Sequence, residues 1–486
     1  MKKWFDFNKK RLALITGIVL FLILFFINPL SLSSKPNLVL AISVLIISWW
    51  VLDAMPLPVV ALVPIVAFPL FNIASIKEVT KSYSDSIIYL FMGGFFLSIA
   101  IEKWNLHKRV ALGIIKLTGT NGNRIILGFI LATGFLSMWL SNTATTMMIF
   151  PIAMSVIHVV GANQQSEKNM KNFSLVLMLS IAYASNFALG TIIGTPPNVA
   201  YVNYISDKFN YNIGFIDWML VFTPLTIALL LMLYWVMVKW LYPNHIKHNE
   251  AGKLFIGEEI KKMGKLSTPE IRTTIVFSIT VLAWILKDVI NAVQQIVVLD
   301  DTIIAMSAAI TLFIIPSGVK VDDKKIPLLE WADTTKMAWG ILLLFGGGIA
   351  MAKALEDAKL MDQFGVFLAS YSTGNTFFMI LIVTTASVFL SEVMSNVAQV
   401  IVMAPVISAL AISMHLDPLL LGIPMTLGAS CASMLPMGTP PNAIVFASGH
   451  IHIKDMIKTG FVLNIICIIL ITLFCYFLQP MIMMVK

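Results

Sequence analysis

Long apolar stretches follow one another along the whole chain, separated by short segments in which the charged residues collect. A helix needs about 20 residues to span the hydrocarbon core, and full crossings are predicted at residues 12–30, 38–51, 57–73, 87–101, 218–238, 273–286, 303–315, 338–352 and 460–484. Two further stretches, 175–204 and 419–449, are apolar but carry Pro-Pro in the middle, which removes backbone donors and breaks a helix. Together these make eleven crossings. The first resembles a signal peptide in position, but its long apolar core and the Asn-Pro and Lys that follow predict a retained anchor.

Residues 125–160 and 377–414 are too long for one crossing and short for two with a turn, so each is predicted to be a re-entrant helical hairpin. Non-helical backbone at membrane depth is tolerated only where protein buries it or a wet cavity receives it. The two hairpin tips and the two Pro-Pro breaks should therefore face one another inside the protein.

Composition agrees with this pattern. Of 486 residues 58% are hydrophobic and 12% charged, against about half and a quarter in soluble domains. The fold class is an all-α polytopic membrane protein. Lys+Arg exceed Asp+Glu by 33 − 25 = 8, and on so apolar a chain this excess marks cytoplasmic loops, excluding nucleic acid as a main partner. With the N-terminus inside, 25 of the 33 basic residues fall on the cytoplasmic side. This predicts a cytoplasmic N-terminus, an extracellular C-terminus, an inner first hairpin and an outer second one. Cys431, Cys467 and Cys475 lie in apolar segments without CxxC spacing, and the seven histidines are scattered, so neither a disulfide framework nor a metal site of that kind is supported. His245 and His248 have HxxH spacing within a Lys-rich loop and read as a solvated pair, and His415 and His450 as loop residues.

An internal repeat carries the architecture. Leu90-Phe91-Met92-Gly93-Gly94 matches Leu344-Phe345-Gly346-Gly347-Gly348, Glu102 matches Glu356, Ser141-Asn142-Thr143 matches Ser395-Asn396-Val397 and Pro151 matches Pro405, each at an offset of 254. Thr195-Pro-Pro-Asn198 recurs as Thr439-Pro-Pro-Asn442 at an offset of 244. Because the copies enter from opposite sides, this is an inverted-topology repeat, with a binding site expected near the midplane where broken segments meet. The glycine runs predict close helix packing.

The short polar residues of Ser141-Asn142-Thr143 suit an N-cap, leaving amides near Ala144 and Thr145 free at the positive end of the next half-helix, where an anion fits. The same holds at Ser395-Asn396-Val397, so two facing N-termini suit the two carboxylates of a small dianion. Carbonyls near Gly194 and Gly438, with the Asn142 and Asn396 side chains, are candidate ligands for a hard cation. No Lys or Arg lies in a tip or break, and bound cations would supply the missing positive charge. Each net charge moved inward gains about 2.3 kcal/mol per 100 mV. Glu392, inside an apolar arm, is read as structural support, with a proton site or support for the cation as the alternatives.

These paired motifs, in this order from about Leu38 onward, resemble the divalent anion:sodium symporter family of di- and tricarboxylate carriers. The resemblance implies an elevator-type homodimer in which a scaffold stays fixed while transport domains slide. It divides the chain into N-terminal scaffold helices and an interfacial arm (1–123), a first transport half (124–240), a cytoplasmic loop with scaffold helices and a second arm (241–373), and a second transport half (374–486). It places Asn142, Thr143, Asn396 and Val397 at the substrate, with Thr195, Pro196, Thr439 and Pro440 lining the pocket. It carries one sodium site to Ser137, Ser141, Asn142 and Gly194 and a second to Ser391, Met394, Asn396 and Gly438. Val397 departs from the symmetric Thr, and Gln399 stands where the first repeat has Thr145.

The leading expectation is secondary transport of C4 or C5 dicarboxylates such as succinate, malate, fumarate or 2-oxoglutarate across the plasma membrane, with Na+ as coupling ion. Dicarboxylate exchange without sodium on the same fold stays open, and sulfate is an outside substrate. An intramembrane enzyme would need clustered titratable side chains at membrane depth, where Glu392 is isolated, and a channel would need a continuous polar path.

Overall fold

A computed structural model describes residues 2–28, 32–119, 121–161, 166–211, 213–246, 250–294, 296–321, 324–360 and 375–479. The first repeat begins with α1 (Lys2–Ile27), α2 (Ser34–Val51), the short α3 (Leu57–Val60) and α4 (Val63–Leu70), α5 (Ile76–Lys81), α6 (Ser86–Lys103) and α7 (Leu106–Thr118). It continues with α8 (Gly122–Ser137), α9 (Asn142–Gly161), α10 (Glu167–Asn186), α11 (Pro196–Phe209) and α12 (Phe215–Trp235). After α13 (Glu250–Lys262), α14 (Thr268–Val293) and α15 (Asp301–Ile314), the second repeat supplies α16 (Trp339–Asp357), α17 (Thr376–Ser391), α18 (Asn396–Ser413), α19 (Pro418–Ala429), α20 (Pro440–Phe446) and α21 (Ile453–Phe477).

Among the described residues nine helices are long and apolar enough to cross a membrane, including the second arm of each hairpin. The chain is a multi-pass membrane protein. The single crossing predicted at 57–73 is instead two short helices, because Pro58 and Pro64 each restart the backbone at a first helical turn. Proline rings were read there as part of an apolar run, whereas their missing N–H groups set the boundaries. A small antiparallel hairpin, β1 (Pro316–Val321) with β2 (Lys324–Pro327), is also new. The ends of the first and last predicted crossings, residues 361–374 of the second arm and His248 lie outside the described residues.

Hairpins and broken helices form one body with a simple cross-packing rule. The first hairpin, α8 and α9, packs on α10 of its own repeat and, through α9, on α20 of the other. The second, α17 and α18, packs on α19 and, through α18, on α11. Around this body α6 lies along α15, and α16 packs on α2, α3 and α6. Gly93 permits the first contact, since a Cβ there would stand 2.6 Å from the Ala305 backbone. The amphipathic α7 is held by Arg109 on Glu270 at 2.8 Å and Lys108 on Glu259 at 3.2 Å, and Lys262 and Lys108 keep the Glu259 carboxyl below the ordinary carboxylate range.

Candidate functional site

The two hairpins break where short polar residues follow a run of apolar ones. α8 ends at Ser137 and α9 starts at Asn142, while α17 ends at Ser391 and α18 starts at Asn396. In the first tip Ser141 Oγ accepts the Ala144 N–H at 3.2 Å and its carbonyl accepts that of Thr145 at 2.9 Å. This corrects the expectation that those two amides stay free. The serine cap consumes them, and the open donors are the preceding amides of Asn142 and Thr143. In the second tip Ser395 makes no side-chain cap, and its carbonyl accepts the Gln399 N–H at 2.9 Å.

The broken helices meet through reciprocal bonds. Asn186 Nδ2 donates to Thr439 Oγ1 at 3.1 Å, and Ser430 Oγ donates to Thr195 Oγ1 at 3.3 Å. Asn186 and Ser430 are 244 apart, as are Thr195 and Thr439, so one contact is the pseudo-twofold image of the other. Each break loop is also laced by its own motif asparagine. Asn198 Nδ2 donates to the Thr191 carbonyl at 3.1 Å, and Asn442 Nδ2 to the Leu435 carbonyl at 3.1 Å. Pro197 and Pro441, three residues beyond Gly194 and Gly438, have no N–H to offer those glycine carbonyls.

Tips and breaks enclose one cavity of about 900 Å³. All of Asn142, Thr143, Thr195, Pro196, Asn396, Val397, Thr439 and Pro440 line it. Of the residues mapped to the cation sites, Ser141, Met394 and Gly438 also reach the cavity, whereas Ser137, Gly194 and Ser391 are not among its lining residues. Behind the first tip, Ser137 Oγ, Asn142 Oδ1 and Thr145 Oγ1 are buried without a hydrogen-bond partner. A buried oxygen left unpaired costs about 1–3 kcal/mol, and three at one helix break form a donor set that suits a hard, oxygen-seeking cation. The second tip differs. Ser391 Oγ lies 2.8 Å from Asn396 Oδ1 and also bonds the Ala429 carbonyl, and Gln399 Nε2 donates to Ser387 Oγ at 2.6 Å. There the oxygens largely satisfy one another, while Gln399 Oε1 is left unpartnered.

Glu392 occupies the second hairpin break. Its carboxylate accepts the backbone N–H groups of Ser433 and Met434 at 2.8 Å each, that of Leu435 at 3.1 Å, and Asn464 Nδ2 at 2.7 Å. Four donors fill its lone pairs and pin the second break loop to the second hairpin, which is the structural role among those weighed. The corresponding first-repeat junction uses the opposite polarity, with the Thr191 hydroxyl donating to the Met138 carbonyl. Asn186, Thr191, Ser430 and Asn464 escaped the motif reading. For Asn186 and Ser430 the shared offset of 244 was the available signal.

The chain matches the family profile described as the sodium:sulfate symporter transmembrane region over residues 8–485. The chain belongs to this family. It is similar to the sodium-dependent dicarboxylate transporter SdcS of Staphylococcus saprophyticus, 37% identical over 476 residues, covering 96% of this chain and 91% of the relative. The SdcS protein of Staphylococcus aureus strain USA300 is 38% identical over 480 residues, covering 97% and 92%. Among solved structures, the YdaH transporter of Alcanivorax borkumensis shares the fold with a TM-score of 0.58 at 11% identity, covering 82% of this chain and 87% of that one. Neisseria gonorrhoeae MtrF does so at 0.54 and 10%, covering 82% and 83%.

Membership in this sodium:sulfate symporter family makes the protein a membrane transporter and not an enzyme. It also makes the cavity's charge informative. Among the described residues the lining contains neither Lys nor Arg, and its one formally charged residue is Asp53. The packing around the site is unequal between repeats as well. Ile193 reaches within 3.5 Å of a Cβ position on Gly94, and Trp139 lies edge-on to Phe277 with ring centroids 4.9 Å apart. Their symmetry mates, Met437 and Val393, are 77% and 64% exposed. Conversely, Ile401 packs on Gly348 while its mate Met147 is 58% exposed.

Proposed function

We propose that this member carries C4 or C5 dicarboxylates, of the class of succinate, malate, fumarate and 2-oxoglutarate, with Na+ as the coupling ion. The observation that carries the reading is the pair of helix N-termini at Asn142 and Asn396 lining one cavity whose described lining residues include no Lys or Arg. Two separated positive ends suit a two-ended anion, whereas sulfate would use one. Asn142, Thr143 and Asn396 orient the carboxylates, Val397 narrows the second end, and Thr195, Pro196, Thr439 and Pro440 shape the walls. Ser137, Ser141, Asn142 and the Gly194 carbonyl hold the first cation, with Thr145 beside them. Ser391, Met394, Asn396 and Gly438 hold the second once the Ser391–Asn396 bond opens. Bound sodium supplies the positive charge that the cavity walls lack. Relatives named for sodium-dependent dicarboxylate transport support both ligands.

The carrier works by alternating access of the elevator type, as a homodimer in the plasma membrane with the N-terminus cytoplasmic. Residues 124–240 and 374–486 move, while 1–123 and 241–373 provide the frame. The cavity is lined by Trp50 to Asp53 and by Ala338, Gly340 and Ile341, helix ends that the basic residues mark as cytoplasmic, and on this reading it opens inward. The unequal packing supports a second state related by the pseudo-twofold, in which Met437 comes onto Gly348 and Met147 onto Gly94. The three native cysteines are buried, so labelling of single introduced thiols reads this exchange. A Met437→Cys thiol is expected to react rapidly from the cytoplasmic side and an Ile193→Cys thiol slowly, with the order reversed from the outside. Equal labelling of both from both sides contradicts the exchange.

Competition against labelled succinate uptake tests the substrate class. Inhibition by malate, fumarate and 2-oxoglutarate but not by sulfate is expected. Sulfate as the stronger competitor overturns the reading.

A further inference from the structure

Asp53 is the sole formal charge among the described residues lining the cavity, and its sign is that of the proposed dianion. It follows the end of α2 in an exposed turn, in a left-handed backbone conformation at φ 51°. Among the described residues it makes no hydrogen bond or ion pair. α2 packs chiefly on α1, then on α16, with a smaller contact to α18 of the hairpin body. Asp53 thus lines the cavity while belonging mainly to the surrounding frame.

On the sodium-coupled dicarboxylate reading given above, we propose that Asp53 makes the site's affinities differ between the two faces of the membrane. With the cavity open beside α2, the Asp53 carboxylate repels the dianion and attracts the cations. When the hairpin body moves away, tips and breaks keep every direct contact with the substrate, but Asp53 stays behind with the frame. Dicarboxylate binding is thereby weakened, and sodium binding strengthened, on the side to which this cavity opens. The consequence is directional. The dianion is released there while sodium is still held, without any change in the groups that touch it. Asp53 acts through the field in the cavity and is a positioning residue rather than a ligand.

The test is transport by full-length protein in proteoliposomes of defined orientation, measured from each face. Asparagine tolerates the left-handed conformation, so Asp53→Asn keeps the turn. At low ionic strength it is expected to lower the half-saturating succinate concentration by about three- to tenfold at the open face, to raise that for sodium, and to leave both values unchanged at the other face. High salt should shrink both shifts, since screening lengths fall to about 3 Å at 1 M. A second variant, Asp53→Cys, should return toward wild-type values after modification with an anionic sulfonate reagent and move away from them with a cationic one. Shifts of the same sign for succinate and sodium, equal shifts at both faces, or indifference to the reagent's charge overturn the proposal alone. Absence of sodium-driven succinate uptake by the unaltered protein overturns the transport reading and this inference with it.

Discussion

Asn142→Ala is expected to abolish transport, lowering uptake by about a hundredfold or more while the protein still folds and inserts. Asn142 joins both proposed functions at one helix N-terminus. Its side-chain oxygen is buried and unpartnered where the first cation is proposed to bind, and the residue also lines the cavity proposed to take the substrate. A hydrogen bond to a charged group contributes about 1.5–3 kcal/mol, and 1.4 kcal/mol corresponds to tenfold in an equilibrium. Losing a cation ligand and a substrate contact together therefore reaches two or more decades. Without sodium, stability should not fall, because no bond to that oxygen is broken and its unpaired burial is relieved. Uptake normalised to inserted protein, with thermal unfolding as control, checks both halves. Near-normal uptake contradicts the site.

Glu392→Leu is expected to lower stability by about 3–5 kcal/mol, since each buried donor left without its acceptor costs about 1–3 kcal/mol. Three backbone N–H groups and the Asn464 amide lose their acceptor at once, and leucine offers none in return. Glu392→Gln keeps a carbonyl oxygen for part of this set and should cost about 1–3 kcal/mol. The graded order glutamate, glutamine, leucine in thermal unfolding is the signature of a clasp on the second break loop. Equal stability of all three proteins contradicts it.

What was legible in the sequence follows from how local the chemistry is. The hairpin breaks at 138–141 and 392–395 and the Pro-Pro breaks lie where the motifs predict, because caps and missing N–H groups act on neighbouring residues. The inverted repeat was legible because the offset between halves stays at 254 through the hairpin motifs and at 244 through the Pro-Pro breaks. The eight motif residues proposed at the substrate line one cavity for the same reason. Partners remote in the chain were not legible. Glu392 takes its donors from 433–435 and 464, and Asn186 meets Thr439 more than 250 residues away. The cap at Ser141-Asn142-Thr143 was legible too, but not that it takes up the Ala144 amide and so moves the open donors earlier in the turn. The split at 57–73 was missed because hydropathy does not register a proline's lost donor.

Uptake of labelled succinate and 2-oxoglutarate into proteoliposomes, crossing an inward sodium gradient against potassium with and without internal unlabelled dicarboxylate, separates symport from exchange. Uptake into empty vesicles that requires sodium and is lost in potassium is expected. Uptake that ignores sodium and requires internal dicarboxylate would contradict symport, making the protein an exchanger and leaving the unpartnered oxygens behind the first tip without their cation.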